Sequence, residues 1–299
     1  MQCQLCAFRC GVNRAQQLGV CQIDSGLYVA AVCQHRGEEP VLGNGLGVCN
    51  VFFAHCSLQC CFCQNCQISS NALSLAPYST NLPTLVERIS ACLRLGLDTL
   101  GLVSPTPSVP WIPPLVEALH SRGLEPTVVY NTNGYETPQA IESLKGLVDI
   151  YLPDYKYGSY ALAKELSRAP RYPDVALEAI QAMAAQVGLS LQFDAQGTAR
   201  RGLIVRHLVL PGYLDNSKAA LVNLATELSP DIYLSLLAQY VPFGNVTRFP
   251  NLQRRLTQPE YDEVAEYAYG LGFSHGWTQE LSSAAYYAPD FTKPNPFEH

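Results

Sequence analysis

From about residue 50 onward, short continuous apolar runs alternate with longer stretches of mixed apolar and polar residues. Short apolar runs are typical of strands buried on both faces, and the longer mixed stretches are typical of helices. The predicted strands are 50–54, 98–104, 126–134, 148–156, 202–212 and 231–240. The predicted helices are 85–96, 111–123, 173–187, 216–228 and 258–271. The chain therefore repeats a strand–helix unit about six times.

This alternation predicts an α/β fold with a parallel sheet and right-handed crossovers. Six units are too few for a closed eight-stranded barrel, so we predict a partial (β/α)6 TIM-like barrel over residues 48–280. In such barrels the chemistry gathers at the C-terminal ends of the strands. The predicted strands end in AHC, SPTP, NTN, PDYK, LPG and AQY, so polar residues and turn formers fall where a site is expected.

The two ends of the chain lie outside this rhythm. Residues 1–47 are rich in cysteine and are predicted to form a small N-terminal metal-binding module. Residues 281–299 form a proline-rich C-terminal tail. We therefore divide the chain into an N-terminal module, a partial barrel and a tail.

Composition narrows the classes of partner and compartment. The net charge of −6 and the pI near 5.5 argue against a duplex nucleic acid or an anionic membrane as partner. The first residues lack the apolar segment of a signal peptide, and no apolar run approaches the roughly 18 residues that span a bilayer. These features predict a cytoplasmic protein, in which the 12 cysteines serve metals rather than disulfides. All of the cysteines lie before residue 93.

The loop after the first predicted strand carries the most specific pattern. Cys56, Cys60 and Cys63 have the spacing C-x3-C-x2-C. Three thiolates from one loop can hold three irons of a [4Fe–4S] cluster and leave the fourth iron open to another ligand. A zinc site with Cys61 or Cys66 as its fourth ligand is the alternative.

A C-x3-C-x2-C loop directly after a strand that opens a β/α series closely resembles the signature of radical S-adenosylmethionine (SAM) enzymes. The resemblance implies a [4Fe–4S] cluster whose open iron binds the amino and carboxylate groups of SAM. It also implies reductive cleavage of SAM to methionine and a 5′-deoxyadenosyl radical. Phe62 stands where that family has an aromatic residue whose backbone meets the adenine.

Several longer segments resemble one subfamily, the radical SAM proteins related to the pyruvate formate-lyase activating enzyme, from Cys3 to Trp277. The segments are FFAHCSLQCCFCQNCQIS, RGEEPVLG, VVYNTNGYE, VDIYLPDYKY, VRHLVLPG and QYVPFG. The resemblance implies that Asp154 and Lys156 hold the ribose or the methionine carboxylate of SAM. It also implies a site role for Arg206, whose alternative is an arginine at the edge of the core.

Two contacts with SAM are less well defined, because the family's G-G-E-P segment is replaced here by SPTP. Ser104 and Thr106 are the side chains that this replacement offers. Asn131 is a further candidate, although it and Asn133 could equally be turn residues before Gly134. For Asp154 and Lys156 the alternative is a surface ion pair.

A second cysteine group lies at the N-terminus. Cys3, Cys6, Cys10 and Cys21 are spaced C-x2-C-x3-C-x10-C and can close a complete site. Zinc and a fully ligated iron–sulfur cluster would both accept four thiolates. The remaining cysteines, Cys33, Cys49 and Cys92, are spaced like single buried residues.

One acidic segment has no assigned role in the resemblance. Glu38 and Glu39 follow His35 in HRGEEP, residues 35–40. They are either acid–base groups that face the active site or a solvated turn before Pro40.

The leading hypothesis is a radical SAM enzyme that abstracts hydrogen from a small molecule and takes its electron from ferredoxin or flavodoxin. The small molecule is favoured because the activators' histidine-bearing last strand reads QYVPFG here and the N-terminal module is extra. One alternative is an activating enzyme that installs a glycyl radical on a protein partner. Another is a non-catalytic iron–sulfur electron-transfer protein. If the reaction is an epimerisation, Cys66 is a candidate hydrogen donor.

Overall fold

The computed structural model describes residues 2–282 and 289–298. Its strands are β1 Leu27–His35, β2 Val48–Phe53, β3 Ser79–Thr80, β4 Thr99–Val103, β5 Thr127–Thr132, β6 Ile150–Pro153, β7 Gln192–Phe193, β8 Ala199–Leu208, β9 Tyr233–Leu237 and β10 His275–Thr278. Its α-helices are α1 Cys66–Ser69, α2 Leu82–Leu93, α3 Ile112–His120, α4 Pro138–Glu142, α5 Tyr160–Ser167, α6 Tyr172–Val187, α7 Leu214–Glu227 and α8 Gln258–Gly270. Short 3₁₀ turns cover Ala76–Tyr78, Thr106–Trp111 and Pro250–Gln253. Among the described helices, none has both the length and the apolarity to cross a bilayer.

The strands form one open sheet in the order β10-β9-β8-β6-β5-β4-β2-β1-β3. Strands β2, β4, β5, β6, β8, β9 and β10 run parallel, and the sheet does not close on itself. The predicted partial barrel is therefore confirmed. Strand β10 was not predicted, because three of its four residues are exposed and it carries no buried apolar run.

The predicted N-terminal module contributes a strand to this sheet. Strand β1 pairs antiparallel with β2 from Val29↔Phe53 to His35↔Val48. Its residues alternate between buried and half-buried positions, which is the period of a strand with one covered face. The boundary at residue 47 stays a prediction, but the second half of residues 1–47 is part of the sheet.

Side-chain alternation along the parallel strands separates two cores. One face of the sheet packs against the helices, and the other face points into the barrel. The lowest inward layer is apolar and surrounds Leu42, which comes from the loop between β1 and β2. Its members are Leu42, Val48, Val129, Ile150, Leu152, Leu191, Ala199 and Ile204. The same loop is tied to β8, because Ala199 donates its backbone N–H to the carbonyl of Val41 (2.9 Å). The loop therefore closes the end of the barrel where the strands begin.

Two residues further along, the inward positions become polar on four strands, while β6 keeps the apolar Leu152. They are Asn50 on β2, Asn131 on β5, Arg206 on β8 and Ser235 on β9. The corresponding position on β4 is Gly101, where an added Cβ would lie 2.0 Å from the Asn50 side-chain oxygen. Glycine at this position is therefore required for Asn50 to point inward.

His207 locks β8 to its neighbours on the helical side. Its ring is fully buried, with Nδ1 2.7 Å from the Tyr155 carbonyl and Nε2 2.9 Å from the Ser217 hydroxyl. Burial lowers the pKa of His207 to about 4. The ring is therefore neutral in the folded protein at pH 7.

Because this folded pKa lies below the ordinary value of about 6.5, protonation favours the unfolded chain as the pH falls between these values. We expect His207 to lower the free energy of unfolding by about 3 kcal/mol between pH 6.5 and pH 4. Urea unfolding across this range checks it. His207→Gln should remove that part of the pH dependence, whereas His120→Gln, at an exposed position, should keep it. Equal slopes of the free energy of unfolding against pH in the wild type and in His207→Gln would contradict the prediction.

Candidate active site

The interior of the partial barrel holds a cavity of about 330 Å³, here called the central cavity. Glu38 and Glu39 line it from the loop that closes the lower end. The opposite end is formed by the cysteine loop that follows β2. Sequence-predicted residues that line it are Cys56, Cys60, Phe62, Cys63, Ser104, Asn131, Asp154, Lys156 and Arg206.

The cysteine loop begins in a constrained backbone conformation. His55 lies two residues after the end of β2 and has a φ of +62°, which is uncommon for a residue with a side chain. Its buried ring lies 3.0 Å from the carbonyl oxygen of Cys21 and 3.2 Å from that of Leu73. These contacts fix the loop at its start and link it to the N-terminal segment.

Each of the three loop thiols has a hydrogen-bonding partner. Asn133 donates its side-chain N–H to Cys56 Sγ (3.2 Å), and Ser167 donates its hydroxyl to Cys60 Sγ (2.9 Å). The Ser69 hydroxyl lies 3.2 Å from Cys63 Sγ. Hydrogen bonds to sulfur stabilise a thiolate and tune any metal that it holds.

The three thiols form a group that suits a cation, with Cys56 buried and Cys60 and Cys63 half-buried. Burial raises the pKa of Cys63 to about 11, and the neighbouring Cys60 adds to this shift. Burial likewise raises the pKa of Cys56 and of Cys60. Thiolates at this position are therefore costly unless a positive charge compensates them, and metal binding provides that compensation.

No group of three or more His, Cys, Asp or Glu side chains within residues 2–282 and 289–298 is arranged to hold a metal ion. Thiolates that hold an iron–sulfur cluster bind different iron atoms, whereas zinc draws its ligands around one point. The loop donor set, three thiols with hydrogen-bond donors on a common cavity, fits a cluster with one open iron.

Beside the cysteines lies an ion-pair network centred on Asp154. Arg206 Nε donates to Asp154 Oδ1 (2.9 Å), and Lys156 Nζ donates to Asp154 Oδ2. Burial raises the pKa of Asp154, but Arg206 and Lys156 outweigh it and the net shift is downward. The side chains of Asp154 and Lys156 are each only 18% exposed, so the alternative of a surface ion pair is wrong.

Two asparagines extend this network to the cysteine loop. Arg206 donates from Nη2 to the Asn131 side-chain oxygen (2.6 Å). Asn133, which donates to Cys56, also accepts the backbone N–H of Tyr135 (2.8 Å). Asn133 is thus both a turn residue and a neighbour of the cysteine loop.

The SPTP segment contributes one residue to the central cavity and not the other. Ser104 lines it, with a φ of +54° and its N–H bonded to the Asn131 carbonyl (2.9 Å). Thr106 is buried behind the cavity wall and donates its hydroxyl to Glu136 (2.6 Å). The structure therefore does not bring Thr106 to the cavity.

Glu136 is a polar centre that the sequence analysis did not single out. One oxygen of its fully buried carboxyl accepts hydroxyls from Thr106, Tyr130 and Thr132. The other oxygen has no partner among the described residues. Burial raises its pKa, which the three hydroxyl donors only partly offset. The carboxyl of NTNGYE, placed just after a strand end, was the signal available in the sequence.

The N-terminal cysteines lie close to one another and away from the central cavity. Burial raises the pKa of Cys6 to about 12, and the negative charges of Cys21, Cys3 and Cys10 add to the shift. A Cβ on Gly19 would lie 3.4 Å from Cys10 Sγ and 3.5 Å from Cys21 Sγ. The structure thus gathers the four thiols of the C-x2-C-x3-C-x10-C pattern.

The surplus cysteines have other surroundings. Cys61 and Cys66 do not line the central cavity, and Cys66 begins α1. Cys33, Cys49 and Cys92 are buried, and the thiols of Cys49 and Cys92 are hydrogen-bonded to each other.

The C-terminal tail covers one side of the central cavity. Pro289 and Phe297 line the cavity, and the Phe297 ring centroid lies 3.9 Å from that of His35. Phe291 packs edge-on against Phe52 at 5.2 Å. The tail therefore closes part of the opening that an incomplete barrel leaves.

No family model matches the chain. An uncharacterized protein of Methanocaldococcus jannaschii is 27% identical to it over 269 residues, which cover 89% of this chain and 74% of that protein. HydG, a maturase of the [FeFe]-hydrogenase, matches with a TM-score of 0.50 and 11% identity over 75% of this chain. SuiB of Streptococcus suis matches with a TM-score of 0.50 and 11% identity over 77% of this chain.

These two solved structures are radical SAM enzymes. The protein therefore has the radical SAM fold, as the sequence predicted. The chain spans about half of each solved structure, 48% of HydG and 49% of SuiB.

The buried carboxyl of Glu136 makes a prediction about stability. Glu136→Ala would leave the three hydroxyls that it accepts without an acceptor, so we expect a loss of about 3 kcal/mol or more in the free energy of unfolding. Urea unfolding measures this loss. Glu142→Ala, whose side chain is 65% exposed, is the control and should change stability by less than about 0.5 kcal/mol. Similar losses in the two variants would contradict a special role for Glu136.

Proposed function

We propose that the protein is a radical SAM enzyme in which Cys56, Cys60 and Cys63 hold a [4Fe–4S] cluster. The observation that carries the proposal is their placement on one cavity together with Asp154 and Lys156, inside a radical SAM fold. A cluster and SAM bound there would supply a low-potential electron and a 5′-deoxyadenosyl radical that abstracts hydrogen.

The chain's own residues would bind and orient SAM. The Asp154 carboxylate would accept hydrogen bonds from the ribose, and the Lys156 ammonium would pair with the methionine carboxylate. Arg206 is a positioning residue, because it holds Asp154 through Nε at 2.9 Å and Asn131 through Nη2 at 2.6 Å. This network fixes the carboxylate before SAM arrives, which reduces the cost of ordering it.

Phe62 and Ser104 would complete the cofactor site. The Phe62 ring is held by Tyr157 and Tyr240, with ring centroids 6.5 Å and 6.3 Å away. Its backbone is therefore fixed beside the cysteines, as contact with an adenine would require. Ser104 offers a hydroxyl at the cavity wall, next to Asn131.

We favour a small molecule as the substrate. The central cavity is closed below by the loop that carries Leu42, and Pro289 and Phe297 cover part of its side. A closed base and a partly covered side suit a small ligand better than a segment of folded protein. An activating enzyme that acts on a protein glycine, and a non-catalytic electron-transfer protein, are the competing proposals. In each case the electron would come from a low-potential donor such as ferredoxin or flavodoxin.

An anaerobic assay tests the catalytic proposal. The reconstituted protein, reduced with dithionite and given SAM, should release 5′-deoxyadenosine. Cys60→Ala should abolish release, because it removes a proposed cluster ligand. Cys61→Ala is the matched control and should keep it, since Cys61 does not line the central cavity. Failure of a fully iron-loaded wild type to cleave SAM would favour the electron-transfer protein.

The same preparation tests the second metal site. Cys3, Cys6, Cys10 and Cys21 are proposed to bind metal, as zinc or as an iron–sulfur cluster. About eight irons per chain would indicate two clusters, and about four irons with one zinc would indicate a zinc site. Cys6→Ser should lower only the second component. A count of about four irons without zinc would contradict the proposed N-terminal site.

A further inference from the structure

The lower end of the central cavity holds two adjacent carboxyl groups in different surroundings. Glu38 is fully engaged: it accepts from Asn50 Nδ2 at 2.7 Å and lies 3.2 Å from His35 Nδ1 and 4.0 Å from Arg206 Nη1. Burial raises its pKa, but His35 and Arg206 outweigh burial and the pKa falls to about 2. Glu38 is therefore an ionised structural carboxylate.

Glu39 is the incompletely satisfied member of the pair. Its residue is 7% exposed, it lines the central cavity, and its Oε2 has no hydrogen-bond partner among the described residues. Its backbone carbonyl is used in the turn, where it accepts the N–H of Leu42 (2.8 Å). A buried carboxyl oxygen without a donor is costly, and such groups are rare unless a ligand or water completes them.

The charges around Glu39 select the kind of donor. Three acidic side chains line the central cavity, Glu38, Glu39 and Asp154, together with Lys156, Arg206 and the imidazole of His35. Both basic groups are already paired with Asp154, and His35 is paired with Glu38. An anionic ligand group would meet the two glutamates, whereas a cationic group would compensate the remaining carboxyl.

We propose that Glu39 binds the ammonium group of an amine-bearing small-molecule substrate at the lower end of the central cavity. An ammonium has three N–H donors and no acceptor, so it can donate to the Glu39 carboxyl and also to the Ser235 hydroxyl, which lines the same cavity. The proposal rests on the proposed function for the reaction itself, because the cysteines occupy the opposite end. Binding of the amine requires neither cluster nor SAM.

The burial of the Glu39 carboxyl also favours a cationic ligand group. It raises the pKa of Glu39, and Arg206 only partly offsets this shift. An ammonium in contact would favour the ionised carboxylate and gain a charge-assisted hydrogen bond. An alcohol of the same shape offers a hydroxyl but no charge, so it should bind less tightly.

The test compares n-butylamine with n-butanol, which differ in the ammonium and the hydroxyl group. Saturation-transfer NMR on the anaerobically purified full chain at pH 7.5 should show n-butylamine binding at least about tenfold more tightly than n-butanol. Glu39→Gln should weaken n-butylamine binding by about tenfold or more and leave n-butanol unchanged. Glu117→Gln, at an exposed position on α3, should bind n-butylamine like the wild type.

Equal binding of the two probes, or unchanged n-butylamine binding in Glu39→Gln, would overturn the proposal. If Glu39→Gln does not fold, Glu39→Asp keeps the charge but withdraws it by one methylene, and it should weaken the amine selectively. SAM cleavage is measured separately on each variant. Loss of SAM cleavage with intact amine binding would count against the proposed function alone, and lost amine selectivity with intact cleavage against the amine site alone.

Discussion

The guanidinium of Arg206, a half-buried side chain inside the barrel, is the constraint on which the site depends. A cation inside the barrel must find acidic or carbonyl partners, because an unpaired buried charge costs several kcal/mol. Arg206 finds them on different elements: Asp154 after β6, Asn131 on β5 and Glu38 in the loop after β1. One side chain thereby holds these elements at a common level, and the central cavity forms above that level.

The alternation of side chains along each strand then determines which residues lie above and below Arg206 inside the barrel. Ile204, Arg206 and Leu208 on β8 all point inward, and they belong to the apolar base, the polar middle and the cavity wall. The base cannot be filled by strands that fail to close, so the loop between β1 and β2 supplies Leu42. The polar middle is therefore closed from below by the apolar base.

Strands that depend on a local sequence pattern were predicted correctly. Features that depend on contacts with distant residues were not. Strands β2 to β9 of the parallel set were predicted from their buried apolar runs, and the C-x3-C-x2-C spacing placed three cysteines on one loop. Strand β10 was missed because edge pairing needs backbone groups rather than apolar side chains. Thr106 was assigned to SAM from its place in SPTP, but Glu136, 30 residues away, turns it into the core. Glu136 itself was missed because its role depends on three hydroxyls that only the fold assembles.

The turn after β5 connects the two cysteine groups physically. Asn133 donates to Cys56, Tyr135 bonds through its carbonyl to the N–H of Ala7 (3.2 Å), and Glu136 forms a β-bridge with Cys6. Residues of one turn thus contact both the cysteine loop and the N-terminal segment that carries the other cysteines. A metal that orders the N-terminal segment would fix this turn and with it the hydrogen bond to Cys56, whichever metal it is. The N-terminal site can therefore influence the central cavity through packing alone, without carrying an electron.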